Sequence, residues 1–160
     1  MSNLVCQHVE LRPATNADAE AVCKLVFGVL REYGLKPSPA DTDADLVDIE
    51  GSYVARGGRF DVLVAARVNV VGTVGLYPTV DGTAELRKMY LHKDLRGQGH
   101  GRRMLEHALA EAKRMGFRRV TLETASVLKE AVALYTQYGF REYQSDHKAA
   151  RCDQAFELIL

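Results

Sequence analysis

A chain of 160 residues is long enough to bury a good core and too short for two ordinary domains, so a single domain over 1–160 is expected. Its 47% hydrophobic and 26% charged content is that of a soluble globular protein. The 21 basic residues cancel the 21 acidic ones, so net charge gives no reason to expect nucleic acid or an anionic membrane as partner.

The charge is nevertheless uneven. Basic residues outweigh acids between Glu85 and Arg119, whereas Asp41, Asp43, Asp45, Asp48 and Glu50 form an acidic run. Solvated faces account for both, and so does a sorting of two unlike ligands. Cys6, Cys23 and Cys152 are odd in number and lack metal-ligand spacing, which reads as three reduced thiols in a cytoplasmic protein. Met1 to Glu10 shows no basic region followed by an apolar stretch, so no signal peptide is expected, and no apolar run approaches a membrane span.

In chain order, a short strand from Val9 to Arg12 is ended by Pro13. Thr15 then caps a helix, with Asp18 completing a capping-box pattern. Ala21, Val22, Leu25, Val26, Val29, Leu30 and Tyr33 recur at helical spacing until Gly34 and Pro37 stop them. A second, shorter helix is expected over Ala44 to Glu50. Two strands follow, Phe60 to Arg67 and Val70 to Pro78, joined by a turn at Val68-Asn69. Asp81-Gly82 signals a hairpin into a strand from Ala84 to His92. A helix with the stripe Met104, Leu105, Ala108, Leu109, Ala112 and Met115 ends at Gly116, and Val120 and Leu122 mark the next strand. Strand, turn, helix and strand make a βαβ unit, so the two strands should be parallel. A last helix, about Leu128 to Tyr138, should bury Ala131, Val132, Leu134 and Tyr135, and strands near Phe140 to Tyr143 and Gln154 to Leu160 close the chain. The antiparallel first half argues against a doubly wound nucleotide fold.

The most informative stretch is Arg96-Gly97-Gln98-Gly99-His100-Gly101, between a strand and a helix. Glycines let the backbone approach a ligand, and the unpaired amides and dipole of the helix start attract an anion such as phosphate. Arg96 and Arg102 flank the turn with full charges suited to phosphate oxygens. A plain turn is the competing reading. The P-loop pattern is absent, and the spacing G-x-G-x-G differs from the dinucleotide fingerprint G-x-G-x-x-G. Glu123 sits about where that fingerprint's ribose-binding acid would be. A calcium reading of Asp41-x-Asp43-x-Asp45 fails, because Leu46 and Ser52 stand where the EF-hand loop needs Gly and Glu.

With its elements in this order, the chain resembles the GNAT acetyltransferase superfamily over nearly its whole length. The motifs are the opening Leu11-Arg12-Pro13-Ala14-Thr15 with Asp18, the R/Q-x-x-G-x-G/A signature at Arg96 to Gly101, and Ala131 to Tyr135 followed by Gly139-Phe140. The resemblance implies an α/β fold: a mixed twisted sheet of about seven strands, with central parallel strands splayed apart, and about four helices. It also implies acetyl-CoA as cosubstrate, no metal, and transfer of acetyl to a primary amine. A small molecule or amino acid is the expected acceptor, with a protein lysine or N-terminus, or a non-catalytic acyl-CoA sensor, as alternatives.

By the same resemblance, the amides of Gln98, Gly99, His100, Gly101 and Arg102 would bind the coenzyme pyrophosphate, beside Arg96 and Gly97. The backbone of Met89, Tyr90 and Leu91 would pair with the pantetheine arm. Tyr135 falls where the family keeps a tyrosine near the thioester sulfur, and Glu85 where the histone-acetylating branch carries a base. Leu128 stands where the family often has an asparagine, with Ser126 or Lys129 as candidate substitutes. In the family the first two helices border the acceptor site, so the acidic run is a candidate attractor for a cationic amine and equally an ordinary acid-rich helix start.

The chemistry needs a neutral amine, a stabilised oxyanion and a protonated leaving thiolate. A lysine-like amine of pKa ~10.4 is neutral only about one part in a thousand at pH 7, which makes a base worth up to ~4–5 kcal/mol. Glu85 is the expected base, directly or through water, against the plainer reading of a carboxylate paired with Arg87 or Lys88. Tyr135 is the expected acid, and backbone N–H near Leu91 the expected oxyanion donor. Edge strands at the C-terminus offer a surface on which a homodimer would pair.

Overall fold

The computed structural model describes residues 8–146 and 148–160, and Cys6 lies outside them. Seven strands form one sheet in the order β1-β2-β3-β4-β5-β7-β6, where β1 is Val9–Pro13, β2 Arg59–Ala65, β3 Asn69–Pro78, β4 Thr83–Leu91, β5 Arg119–Thr124, β6 Arg141–Glu142 and β7 Gln154–Ile159. Neighbouring pairs are antiparallel except β4 and β5, which are parallel as the βαβ reading requires. The four α-helices are α1 Ala19–Glu32, α2 Ile49–Ser52, α3 His100–Arg114 and α4 Lys129–Gln137. None of the described helices is long and apolar enough to cross a membrane.

Two apolar cores flank the sheet, as strand alternation dictates. Val22, Val26 and Leu30 of α1 and Ile49 of α2 pack on Phe60, Val62 and Val64. On the other face, Met104, Leu105, Ala108 and Ala112 of α3 and Tyr135 of α4 pack on Leu63, Leu76, Ala84, Leu86 and Leu122. Within α4 only Tyr135 is fully buried, because Ala131 and Leu134 wall a cleft rather than the core.

Several elements differ from expectation. The helix expected over Ala44 to Glu50 is instead a 3-10 turn, Ala44–Leu46, followed by the four-residue α2. Asp48 explains the break: its side chain caps α2 by accepting from the Gly51 amide at 2.9 Å. The β2–β3 turn lies earlier than Val68-Asn69. Ala66 and Arg67 carry φ of 52° and 67°, and the Val68 amide closes the turn on the Ala65 carbonyl at 3.3 Å. Two left-handed residues match the strand twist of a tight hairpin, and here non-glycine residues supply them. The C-terminal strand β7 is internal, leaving the two-residue β6 and β1 as the sheet edges.

Two irregularities shape the centre. Strands β4 and β5 pair only from Thr83↔Arg119 to Leu86↔Leu122, after which β5 continues along β7 alone. The strands therefore part. Just there β4 carries a bulge: the register to β3 shifts between Thr73↔Tyr90 and Gly75↔Arg87, and Lys88 adopts φ 54°. The Thr73 hydroxyl donates to the Lys88 carbonyl at 2.6 Å and holds that conformation. An extra residue breaks the alternation of faces. Consequently Arg87, stacked 3.8 Å over the Tyr77 ring, and Lys88, paired with Asp43 and Asp45, lie on the same face.

Opposite the bulge, a Cβ on Gly75 would stand 2.8 Å from Tyr53 Cε1 and 2.9 Å from Phe60 Cδ2. Both rings are fully buried, so Gly75→Ala is expected to lower the unfolding free energy by about 1–3 kcal/mol in a urea titration. Unchanged stability would mean that these rings do not rest on β3.

Candidate active site

The chain reaches the glycine turn through a 3-10 turn at Lys93–Leu95. Gly97 and Gly99 then take φ of 75° and 85°, a conformation a Cβ disfavours. A Cβ at either would meet nothing within 4 Å, so the space above the turn is open. The first amide of α3 with a backbone acceptor is that of Arg103, bonded to the Gly99 carbonyl at 3.0 Å. The preceding amides from Gln98 to Arg102 are therefore available to an anion at the positive end of a 15-residue helix. These amides stand where the sequence reading set a phosphate, and a row of unpaired donors at a helix start suits an anion such as a pyrophosphate.

Arg96 is differently employed. Its guanidinium donates to the Leu91 carbonyl at 3.0 and 3.1 Å, to the Tyr33 hydroxyl at 3.1 Å and to both Glu32 carboxylate oxygens. It thus ties the end of β4 to the end of α1. Arg102 lies on the exposed helix start, reaching Gln137 Oε1 at 3.2 Å. His100 is held below the ordinary imidazole pKa by burial and by Arg103.

Behind the cradle, a narrow cleft of about 130 Å³ runs between β4 and α4, lined by Met89, Tyr90 and Leu91 on one side and Leu128, Ala131 and Leu134 on the other. It meets a larger cleft of about 350 Å³ on the α1–α2 face, and Met89, Tyr90, Leu128 and Ala131 border both. Tyr135 also borders the larger cleft. Burial, with the Tyr90 phenol nearby, pushes the Tyr135 pKa well above that of an ordinary phenol. Burial likewise pushes Tyr90 up to about 12, against the opposing pull of Arg151. Both phenols keep their protons at neutral pH.

Glu85 lies in the larger cleft, but its carboxylate is paired with Arg87. A second carboxylate enters the same cleft from β5. Glu85 pairs in register with Thr121, and Glu123, two residues on, falls on the same face. Glu123 accepts the Ala149 amide at 3.0 Å and has no cation within ion-pair distance among the described residues. Burial, and then the Glu85 charge, raise its pKa above the usual carboxylate value, outweighing the amide bond and the more distant Arg87 and Lys148. The sequence offered Glu123 only a ribose-binding role; the parallel β4–β5 register was the signal that pairs it with Glu85.

The acidic run is mostly engaged internally. Asp43 is bound to Arg151 and Lys88, Asp45 to Lys88 and Tyr53, Asp48 to Asn16, and Glu50 to the Asn16 amide. Only Asp41 of this run faces the cleft without such a partner among the described residues. Ser126 is held by Asp153, with its hydroxyl at 2.6 Å and its amide at 2.7 Å.

Unpaired main-chain amides at the start of α3 thus open between parted parallel strands toward a buried phenol and a pair of carboxylates. Residues 28–140 match the model of the acetyltransferase (GNAT) family. The uncharacterized N-acetyltransferase YjgM of Escherichia coli is 35% identical over 145 residues, covering 88% of this chain and 86% of its own. Human N-acetyltransferase 8B is 30% identical over 103 residues, which span 61% of this chain and 45% of that longer protein. Among solved structures, a GNAT-family acetyltransferase from Staphylococcus aureus superposes with a TM-score of 0.87 at 23% identity, covering 94% of this chain and 98% of the other. A phosphinothricin acetyltransferase from Sinorhizobium meliloti, solved in complex with AcCoA, gives 0.74 at 18% identity, covering 95% and 88%. The chain belongs to the GNAT family and is an acyltransferase, and the family's acyl donor is acetyl-CoA.

Because Arg96 joins α1 to β4 through charge-assisted bonds, Arg96→Met is expected to cost about 1–3 kcal/mol of stability. Urea unfolding in the absence of any coenzyme reads this directly; an unshifted midpoint would release Arg96 from the structural role.

Proposed function

We propose that the protein transfers acetyl from acetyl-CoA to a primary amine on a small molecule, by direct attack in a ternary complex. The observation that carries this reading is the continuity of the two clefts past Tyr135, from the amide cradle to the carboxylates. The amides of Gln98 to Arg102 would hold the pyrophosphate. The parted edge of β4 at Met89, Tyr90 and Leu91 would take the pantetheine arm as an added strand. Bound there, the thioester supplies an activated acyl group, and everything else is done by the chain's own groups.

Glu123 is the base in this reading. It stands in the acceptor cleft without a partner cation, whereas Glu85 is held by Arg87. A carboxylate whose pKa is raised toward neutrality takes a proton from an ammonium more readily than an ordinary one. Glu85, its neighbour across the strands, raises that pKa and is the second carboxylate for a proton relay. Tyr135, kept protonated by burial, delivers its proton to the departing thiolate. A main-chain N–H near Leu91 offers the oxyanion a donor with no reorganisation.

A small acceptor is favoured by the shape of the cleft. It holds about 350 Å³ and is bounded by Asp41 and Thr42 from one loop and by Ala149, Arg151 and Cys152 from another. An extended peptide would need a groove across the sheet, which these two loops cross. Lys88 and Arg151 are neutralised by Asp43 and Asp45, and Arg87 by Glu85, leaving Glu123 and Asp41 as the uncompensated charges facing a cationic amine.

The base must be deprotonated, so kcat/KM should fall as pH drops through the Glu123 pKa, with a midpoint above the ordinary value of ~4.3. Glu123→Gln should lower kcat by roughly 10²–10⁴ and abolish that acid limb. Glu85→Gln should keep the limb; if it is Glu85→Gln that abolishes it, the base is Glu85. Tyr135→Phe should reduce kcat by a similar factor of roughly 10²–10⁴ while the acetyl-CoA dissociation constant, measured by calorimetry, stays within about twofold. Unchanged turnover would remove Tyr135 as the acid.

A further inference from the structure

The most heavily buried carboxylate among the described residues, Asp43, sits beside the acceptor cleft. Asp43 has a fully buried side chain and accepts both guanidinium arms of Arg151, at 2.7 and 2.8 Å, from 108 residues away in sequence. It also accepts the Ser38 amide at 2.8 Å and stands 3.4 Å from Lys88 Nζ. Lys88, itself 5% exposed at the side chain, reaches Asp45 at 3.2 Å and the Thr42 carbonyl at 3.1 Å. Burial acts to raise the Asp43 pKa, but Arg151, the Ser38 amide and Lys88 outweigh it and hold the carboxyl below its usual value.

This cluster joins three segments that are otherwise separate: the loop over 38–46, the bulge of β4, and the loop over 148–153. The last of these carries the Ala149 amide that binds Glu123. A fork of two short bonds fixes a guanidinium in both position and plane, which a single contact does not. Arg151 also faces the Tyr90 hydroxyl, so the loop meets the parted part of β4 as well.

We propose that Asp43 and Arg151 are positioning residues for acetyl transfer: their forked ion pair holds the 148–153 loop onto the cleft and thereby keeps the Ala149 amide on Glu123. The proposal rests on Glu123 as the base for its kinetic consequence, but not for its structural one. Asp43 touches no reacting atom; it acts through Arg151 and the loop. The groups facing Glu123 are Glu85 and Arg87 from β4, and Lys148, the Ala149 amide and Cys152 from the loop. Of these, the amide is the hydrogen bond that the clamp controls, and Lys148 and Cys152 ride on the same loop. The amide's bond favours the charged carboxylate, so releasing it leaves burial and Glu85 less opposed and raises the Glu123 pKa.

The test uses the 160-residue chain without substrate, with a carboxyl carbon NMR titration of Glu123 assigned through Glu123→Gln, and hydrogen exchange over 38–46 and 148–153. Arg151→Met should raise the Glu123 midpoint by about half a pH unit or more and speed exchange in both segments, including the one that was not altered. Asp43→Asn should do the same. The double variant should move the midpoint no further than the larger single one, because one contact is lost once. Arg151→Lys keeps the charge without the fork and should give a smaller shift of the same sign; it decides the matter if Asp43→Asn does not fold. An unmoved Glu123 midpoint, or faster exchange confined to the altered segment, overturns the proposal. With an amine identified from a panel of primary amines, the acid limb of kcat/KM should follow the NMR midpoint while the KM for acetyl-CoA stays within about twofold. If Glu123→Gln leaves turnover intact, the assignment of the base fails, and the NMR and exchange results still decide the clamp.

Discussion

The separation of β4 from β5 beyond Leu86 and Leu122 is the constraint on which the rest of the molecule depends. Parallel strands within a sheet ordinarily continue side by side, since each unmade ladder bond leaves a main-chain group to satisfy. Here the parting begins beside a bulge, where Lys88 is left-handed and Thr73 captures its carbonyl. The freed edge of β4 becomes one wall of a cleft and α4 the other. Without that gap, the amide cradle at the start of α3 would face a closed sheet.

The bulge has a second effect, through parity. Adjacent residues of a strand normally face opposite sides, yet Arg87 and Lys88 both face the α1–α2 side. Each cation meets its carboxylates there, and the loops that border the larger cleft are fastened to the strand that walls the narrow one. One backbone irregularity thus serves both clefts. It opens the edge on one side of β4 and anchors the covering loops on the other.

Much of this was legible in the sequence, and the rest was hidden for physical reasons. The stripes of α1 and α3, the parallel β4–β5 pair and the glycine turn follow from periodicity, spacing and φ preference, all of which are local. The burial of Tyr135 was legible from the helical spacing that starts at Ala131. The bulge was not, since a lysine at φ 54° is held by tertiary partners rather than by a residue that prefers that conformation. The Asp43–Arg151 pair spans 108 positions, beyond any local pattern. Arg96 looked suited to phosphate because sequence shows a charge but not the acceptors already around it. Glu123 drew only a ribose-binding reading, because its lack of a paired cation is an absence that only three-dimensional neighbours reveal.

The cradle is made of main-chain N–H groups, and this bears on how the two halves of the site change over generations. A surface of peptide amides encodes recognition without a side chain, so most substitutions at Gln98, His100 or Arg102 leave its hydrogen-bond donors in place. Gly97 and Gly99, set in left-handed backbone, are the narrow exceptions. The larger cleft is instead lined by side chains from β4, β5, α4 and two loops, where nearly every replacement alters the surface presented. On the assignment proposed for the two clefts, such a molecule can drift in what it acetylates while its choice of donor stays fixed.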